Sequence, residues 1–203
     1  MIAPIGRLIV MRHGETEWSR SGKHTGQTDL PLTDLGEAQA RAAGAELALL
    51  ELDNPLVLSS PRTRALRTAE LAGVTVDRVW DDLVEWDYGD YEGLTTPEIR
   101  ETVPHWTVWT HPCPGGESAE SVQSRADTVL SVVTPQLEER DVLLFGHGHF
   151  TRALIARWTQ LPVSEGRRFG MAAASHSVLG YEHGCQQIYL HNVFPRGVTQ
   201  GVA

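Results

Sequence analysis

The chain has 203 residues, 41% hydrophobic and 21% charged, a balance that suits one globular domain and excludes a disordered or fibrous protein. Its net charge of -9, from 17 basic against 26 acidic residues, makes it a poor nucleic-acid binder, because that affinity rests on cationic contacts to phosphates. Cys113 and Cys185 are far apart with no CxxC, which excludes a disulfide framework and a structural zinc site and fits a reducing, cytoplasmic compartment.

The opening MIAPIG has no basic region and no long apolar stretch, so no signal peptide is expected, and no run approaches 18 apolar residues. Strand and helix patterns then alternate. RLIVM (7–11) reads as a short buried strand. LTDLGEAQARAAGAELALLE (32–51) is Ala- and Leu-rich and predicts a helix capped by Thr33 or Asp34. PLVLSS (55–60) is a second buried strand, followed by a helix over 63–72. VTVDRVW (74–80) alternates and predicts a third, partly exposed strand.

Residues 81–116 are Trp-, Pro- and Gly-rich with weak periodicity, the pattern of a cap or lid-like insertion. Residues 117–140 predict a long amphipathic helix that Pro135 bends or ends early. DVLLFGHG (141–148) is strand then turn, and FTRALIARWTQL (150–161) a helix. SHSVLGYEHGCQQIYLHNV (175–193) predicts a hairpin at the sheet edge turning near His183-Gly184, with a loose tail from Phe194. The order is that of an α/β protein with a largely parallel sheet, read as one domain over 1–203.

In such sheets ligands bind beyond the carboxyl ends of the strands. The first strand delivers Arg12-His13-Gly14 there, the second Pro61-Arg62-Thr63-Arg64, the fourth His147-Gly148. Arginine offers a planar, permanently charged fork that matches phosphate oxygens. A neutral imidazole can be a nucleophile, its tautomer fixed by a backbone carbonyl on the other nitrogen. Glycine beside each histidine lets backbone approach an anion. Together these describe a phosphoryl pocket without a metal; Arg62 and Arg67 are assigned to a solvated helix face.

Five blocks, LIVMRHGETEW, HTGQTDLPLTDLGEAQA, SSPRTRALRTAE, LVEWDYGDYEG and FGHGHFTR, run in an order that resembles the histidine phosphatase superfamily, which includes the cofactor-dependent phosphoglycerate mutases. The resemblance implies a three-layer αβα sandwich around a mostly parallel sheet, and catalysis through a phosphohistidine. It makes His13 the nucleophile, Arg12 and Arg64 phosphate ligands, His147 the second pocket histidine and Glu85 the proton donor. It makes Thr25 and Gly26 a substrate-contacting pair, with Gly148 beside them. Ser19 stands where the mutases place a phosphate-binding asparagine. Without the family pattern, Glu15, Glu17, Asp87 and Glu92 rival Glu85.

The mutases resemble one another in carrying Arg after the donor glutamate and further basic residues beyond it. Here Trp86 follows Glu85, and 86–99 has no Lys or Arg but holds Asp87, Asp90, Glu92 and Glu98. An acidic insertion is expected to repel a second anionic group, which favours hydrolysis over phosphoryl transfer. Trp86, Tyr88, Trp106 and Trp109 either line a pocket for the rest of the substrate or pack the insertion onto the domain. FGHGHFTR also resembles the form found in some sugar-bisphosphate phosphatases, with His149 supporting the site or lying at the surface.

His147-Gly148-His149 is an HxH that some metallohydrolases use, but no further ligand spacing accompanies it, so neither metal nor cofactor is expected. GHGHFT fails as a dinucleotide fingerprint because Thr151 takes the third glycine position. The expectation is a broad acid-phosphatase-type monoesterase acting on small phosphorylated metabolites such as sugar phosphates, with no nucleic-acid or membrane partner and with homodimerisation through the hairpin. A cofactor-dependent phosphoglycerate mutase, a phosphoprotein phosphatase and a non-catalytic phosphate-binding module are the alternatives.

Overall fold

Six strands form one sheet in the order β3-β2-β4-β1-β5-β6, in a computed structural model that describes residues 6–200. Residues 1–5, which bear on the absence of a leader, lie outside the described residues. β1 (Leu8–Arg12), β2 (Leu56–Ser59), β3 (Arg78–Val79) and β4 (Val142–Gly146) are parallel; β5 (His176–Glu182) runs antiparallel to β1 and carries β6 (Cys185–Val193) as a hairpin. The hairpin turns at His183 (φ 51°) and Gly184 (φ 78°), the doubly left-handed turn whose twist matches the strands.

Side-chain alternation along β1 and β4 feeds two cores. Leu8, Val10, Val142 and Leu144 face one side, where α5 (Ala119–Val133) and α6 (Gly148–Trp158) pack with Val122, Val129, Phe150 and Leu154. Ile9, Met11, Leu143 and Phe145 face the other, against Ala43 and Leu47 of α2 (Asp34–Ala48) and Ala69 of α3 (Thr63–Leu71). Helices on both faces of a mostly parallel sheet make the three-layer αβα sandwich. Each Leu or Ile fully buried this way contributes roughly 1.5–3 kcal/mol. Among the described residues no helix is long and apolar enough to cross a membrane.

Local chemistry explains where elements depart from their predicted bounds. Thr33 caps α2 by accepting from Gly36 N–H at 3.0 Å. The third strand shrinks to two residues because the Asp77 carboxylate, not a backbone carbonyl, accepts from Val57 N–H at 2.8 Å. α5 stops at Val133 and a 3-10 turn over Thr134–Glu138 takes over, since Pro135 lacks the N–H that an α-helix needs. Residues 81–116 hold a short helix α4 (Thr96–Thr102), and Trp86, Trp106 and Trp109 are buried in the same cluster as β1.

The short helix α1 (Glu17–Ser21) had no periodic signal; a Thr16–Ser19 capping box nucleates it. The tail is tied down over 194–200 rather than loose. The fully buried Gln39 of α2 donates to Thr199 O at 3.1 Å, and the nearly buried Glu46 accepts from Arg196 N–H at 3.4 Å. Buried polar groups on α2 need partners, and the tail supplies them.

Candidate active site

Because β2, β4 and β1 are adjacent and parallel, their carboxyl ends open onto one cleft. His13 N–H donates to Gly146 O at 3.0 Å and Ser60 N–H to Phe145 O at 2.9 Å, so the first residues beyond each strand remain in sheet register. This brings His13 and His147, 134 positions apart, to a ring separation of 5.2 Å with planes crossed at 65°. The loop after β1 lies directly on the start of α2: a side chain on Gly14 would meet Gly36 O at 2.4 Å, so only glycine allows the approach.

The hydrogen bonds assign the tautomers. His13 Nδ1–H donates to Gly14 O at 2.7 Å, which leaves the Nε2 lone pair without a protein partner, and the ring lines the cleft. Arg64 Nε–H donates to His147 Nδ1 at 3.3 Å, so His147 carries its proton on Nε2 and donates it to Ser60 Oγ at 2.8 Å. Burial first, then the charges of Arg64 and Arg12, hold the His13 pKa well below 6.5. Burial and Arg64 do the same for His147, burial and Arg152 for His149. Burial brings His24 down to about 4. His13 is therefore held in its neutral form.

These four histidines carry a stability consequence. Each is depressed in the fold, so above pH 6.5 its burial adds no proton-linked cost; as pH falls below 6.5 the unfolded chain takes up protons that the fold refuses. Each removes up to about 1.4 kcal/mol per pH unit in that window. The melting temperature of the ligand-free protein is expected to fall between pH 7 and pH 5, as followed by circular dichroism, whereas an unchanged value would mean that these rings ionise inside the fold.

Glu85 sits at the start of α6. Its Oε1 accepts from Trp86 N–H at 2.9 Å and Phe150 N–H at 2.7 Å, and its Oε2 from His149 N–H at 2.9 Å. The carboxylate thus satisfies orphan amides of α6 from a distant loop, which is why the helix begins at Gly148, two residues before the predicted start. Arg125 holds that loop by donating to Asp82 O at 2.9 Å and Val84 O at 2.8 Å. Arg12 donates to Met171 O at 2.6 Å, while its buried Nε has no partner. Burial lowers its pKa, against the attraction of Glu85.

Arg64 is fully buried and lies beneath the cleft rather than in its wall. Besides His147 it donates to Thr28 O at 2.8 Å and to Thr25 O and Gly26 O at 3.2 Å. It therefore pins the 25–28 loop under the second histidine. Glu92 grips the same loop, accepting from Gly26 N–H and Thr28 N–H. Gly26 is required there, since a Cβ would stand 2.6 Å from Trp86 O. Thr25 and Gly148 line the cleft, whereas Gly26 does not. Ser19 also lines it, but its hydroxyl donates to Thr16 O at 3.1 Å and accepts from Thr16 N–H at 2.9 Å.

The cleft, about 260 Å³, contains residues that sequence reasoning did not single out: Lys23, His24 and Arg152, with Ser60 behind. Lys23 and His24 arrive from the loop after α1 and Arg152 from the interior of α6, where no strand end marks them, and Ser60 directly follows β2. Tyr88 lines the cleft, whereas Trp86, Trp106 and Trp109 pack, with Trp109 set edge-on to Trp86 at 5.5 Å. His149 lines it as well, accepting from or donating to Tyr88 OH at 2.6 Å. Arg67 lies on a partly exposed helix face paired with Glu37 and Glu70.

Asp87, Asp90, Glu92 and Glu98 do not line the cleft, contrary to the expected repulsion of a second anion. Glu92 is spent on the 26–28 amides, Asp87 accepts from Gly89 N–H at 2.9 Å, and Glu98 caps α4 at Thr95. Of the other rival carboxylates, Glu15 is buried and accepts from Thr33 Oγ1 at 2.8 Å, and Glu17 pairs with Arg20 at the surface. Among the described residues no group of three His, Cys, Asp or Glu is placed to hold a metal ion.

A family model described as the histidine phosphatase superfamily, branch 1, matches residues 8–193. An acid phosphatase of Mycobacterium tuberculosis is 56% identical over 182 residues, 90% of each chain. The sedoheptulose 1,7-bisphosphatase of Saccharomyces cerevisiae is 37% identical over 191 residues, spanning 78% of this chain and 69% of its own. Among solved structures, the product of an open reading frame from M. tuberculosis superposes with a TM-score of 0.93 at 53% identity, covering 94% of this chain and 99% of that one.

Proposed function

The chain belongs to the histidine phosphatase superfamily and is a phosphoric monoester hydrolase, and we propose that it works without a metal, through a phosphohistidine, on small phosphorylated metabolites such as sugar phosphates. The observation that carries this reading is the His13 tautomer: with Nδ1 tied to Gly14 O, the lone pair of Nε2 is the one free to attack.

In the first step a bond forms between His13 Nε2 and phosphorus as the bond to the leaving oxygen breaks, and Glu85 gives that oxygen its proton. In the second, water attacks phosphorus, Glu85 takes the water's proton, and the P–N bond breaks to release phosphate and restore both groups. Arg12, with a buried Nε left unpaired, binds the phosphoryl oxygens. His147, held by Ser60 and Arg64, adds a second group beside them, and Arg64 adds charge from beneath. Thr25 and Gly148 shape the rim for the leaving group, and Ser19 supports it through α1.

The reading includes a reducing cytoplasmic setting, supported by the two unpaired cysteines Cys113 and Cys185. It also includes pairing of two copies along β6, supported by the exposure of Tyr189 and Leu190 on that edge strand. Phosphate release from a panel of small phosphomonoesters in excess chelator tests the chemistry. Turnover of several of them, undiminished by chelation, is expected; loss of activity that a divalent metal restores would overturn the metal-free reading.

A further inference from the structure

The cleft carries more positive charge than one phosphoryl group uses. Its wall contains Arg12, Lys23 and Arg152 against a single carboxylate, Glu85. None of the three cations is ion-paired among the described residues. A phosphoryl group brings about 1.5–2 negative charges at pH 7, which Arg12 and the underlying Arg64 match. With Glu85 offsetting a third cation, one positive charge of the two on Arg152 and Lys23 is left over. The volume, about 260 Å³, is also that of about nine waters at ~30 Å³ each, more than a phosphoryl group fills.

Arg152 is held as a fixed donor. It stands one helical turn beyond Gly148 on α6, so both reach the same cleft. Its guanidinium stacks on Trp109 at 4.8 Å and donates to Gly166 O at 3.1 Å and Arg167 O at 3.2 Å. Carbonyls orient it and an aromatic face desolvates it, but no carboxylate neutralises it, and an uncompensated cation in that setting is costly. Lys23 joins the lining from the loop after α1, where its backbone bridges to Thr95 and its ammonium stands over the Trp18 ring at 5.8 Å.

His149 completes the wall. Its Nδ1 hydrogen-bonds the hydroxyl of Tyr88 at 2.6 Å. Its Nε2 has no protein partner, and the ring lines the cleft.

We propose that Arg152 and Lys23, with the His149 ring in the same wall, form a second anion subsite, and that the preferred substrates carry a further phosphate or carboxylate on the leaving-group side. The proposal rests on the phosphatase reading of the same cleft and sharpens its substrate class from phosphomonoesters at large to doubly anionic ones.

Two matched pairs test it: fructose 1,6-bisphosphate against fructose 6-phosphate, and 3-phosphoglycerate against glycerol 3-phosphate. The wild-type protein is expected to favour the doubly anionic member of at least one pair by tenfold or more in kcat/KM, and the pair that shows it tells phosphate from carboxylate. Arg152→Met should cut that preference at least tenfold, mainly through KM, with Arg152→Lys restoring part of it. Lys23→Met, which removes no hydrogen bond of the side chain, should also lower it and guards against an Arg152 variant that misfolds. Ratios near one for the wild type in both pairs overturn the subsite. So does a preference that survives both substitutions, or a uniform loss of kcat in Arg152→Met with the ratio and the Lys23→Met enzyme unchanged. If none of the four compounds releases phosphate, the phosphatase reading itself falls and the subsite with it.

Discussion

Replacing His13 with alanine is expected to lower kcat by at least about 10⁴-fold for every phosphomonoester, because the attack on phosphorus is assigned to its Nε2. His147 cannot substitute, since Arg64 occupies its Nδ1 and Ser60 its Nε2. The loss should not come from unfolding. The loop that holds the ring is anchored independently, with Gly14 N–H donating to Thr68 Oγ1 at 3.0 Å and Glu15 N–H to Gln39 Oε1 at 2.9 Å. Steady-state assays beside a melting curve check both points. A variant that keeps its melting temperature and a tenth of its activity would remove His13 from the chemistry.

Glu85→Gln is the second large effect, and its size depends on the leaving group. An alkyl phosphate needs a proton on the departing oxygen, so kcat should fall by roughly 10²–10⁴-fold. An aryl phosphate leaves without that help, and its first step should survive. The second step still needs a base for water. With p-nitrophenyl phosphate the variant should therefore release about one nitrophenolate per site in a burst and then turn over slowly. Rapid mixing at 405 nm (roughly the nitrophenolate band) reads this directly. Equal losses for alkyl and aryl substrates with no burst would assign Glu85 to holding α6 rather than to proton transfer, since the side chain also accepts from His149 and Phe150 N–H.

The sheet and its reactive edge are legible because hydrophobic runs report buried strands and polar residues at their ends stand out. RLIVM followed by Arg12-His13-Gly14, and VLLFG followed by His147, carry that signal. What depends on distant partners is not legible. The start of α6 is set by Glu85, 63 positions before Gly148, and the third strand is shortened by a side-chain carboxylate at Asp77. The sign of the charge in the cleft was also hidden. The insertion's acids are conspicuous in sequence, yet Asp87, Glu92 and Glu98 are turned onto backbone amides, while Lys23 and Arg152 come from elements with no marked pattern. Arg64 stands out in sequence as a phosphate ligand, and only the fold shows it spending its donors on His147 and three loop carbonyls.

Everything proposed for this cleft depends on a covalent bond between phosphorus and one imidazole nitrogen. Rapid alkaline quenching of the protein during turnover of a phosphomonoester, followed by peptide mass spectrometry, measures it. One phosphoryl group per chain on Nε2 of His13, lost on acid treatment and absent from His13→Ala, is the predicted result. Phosphate found on another residue, or on none while turnover proceeds, contradicts it.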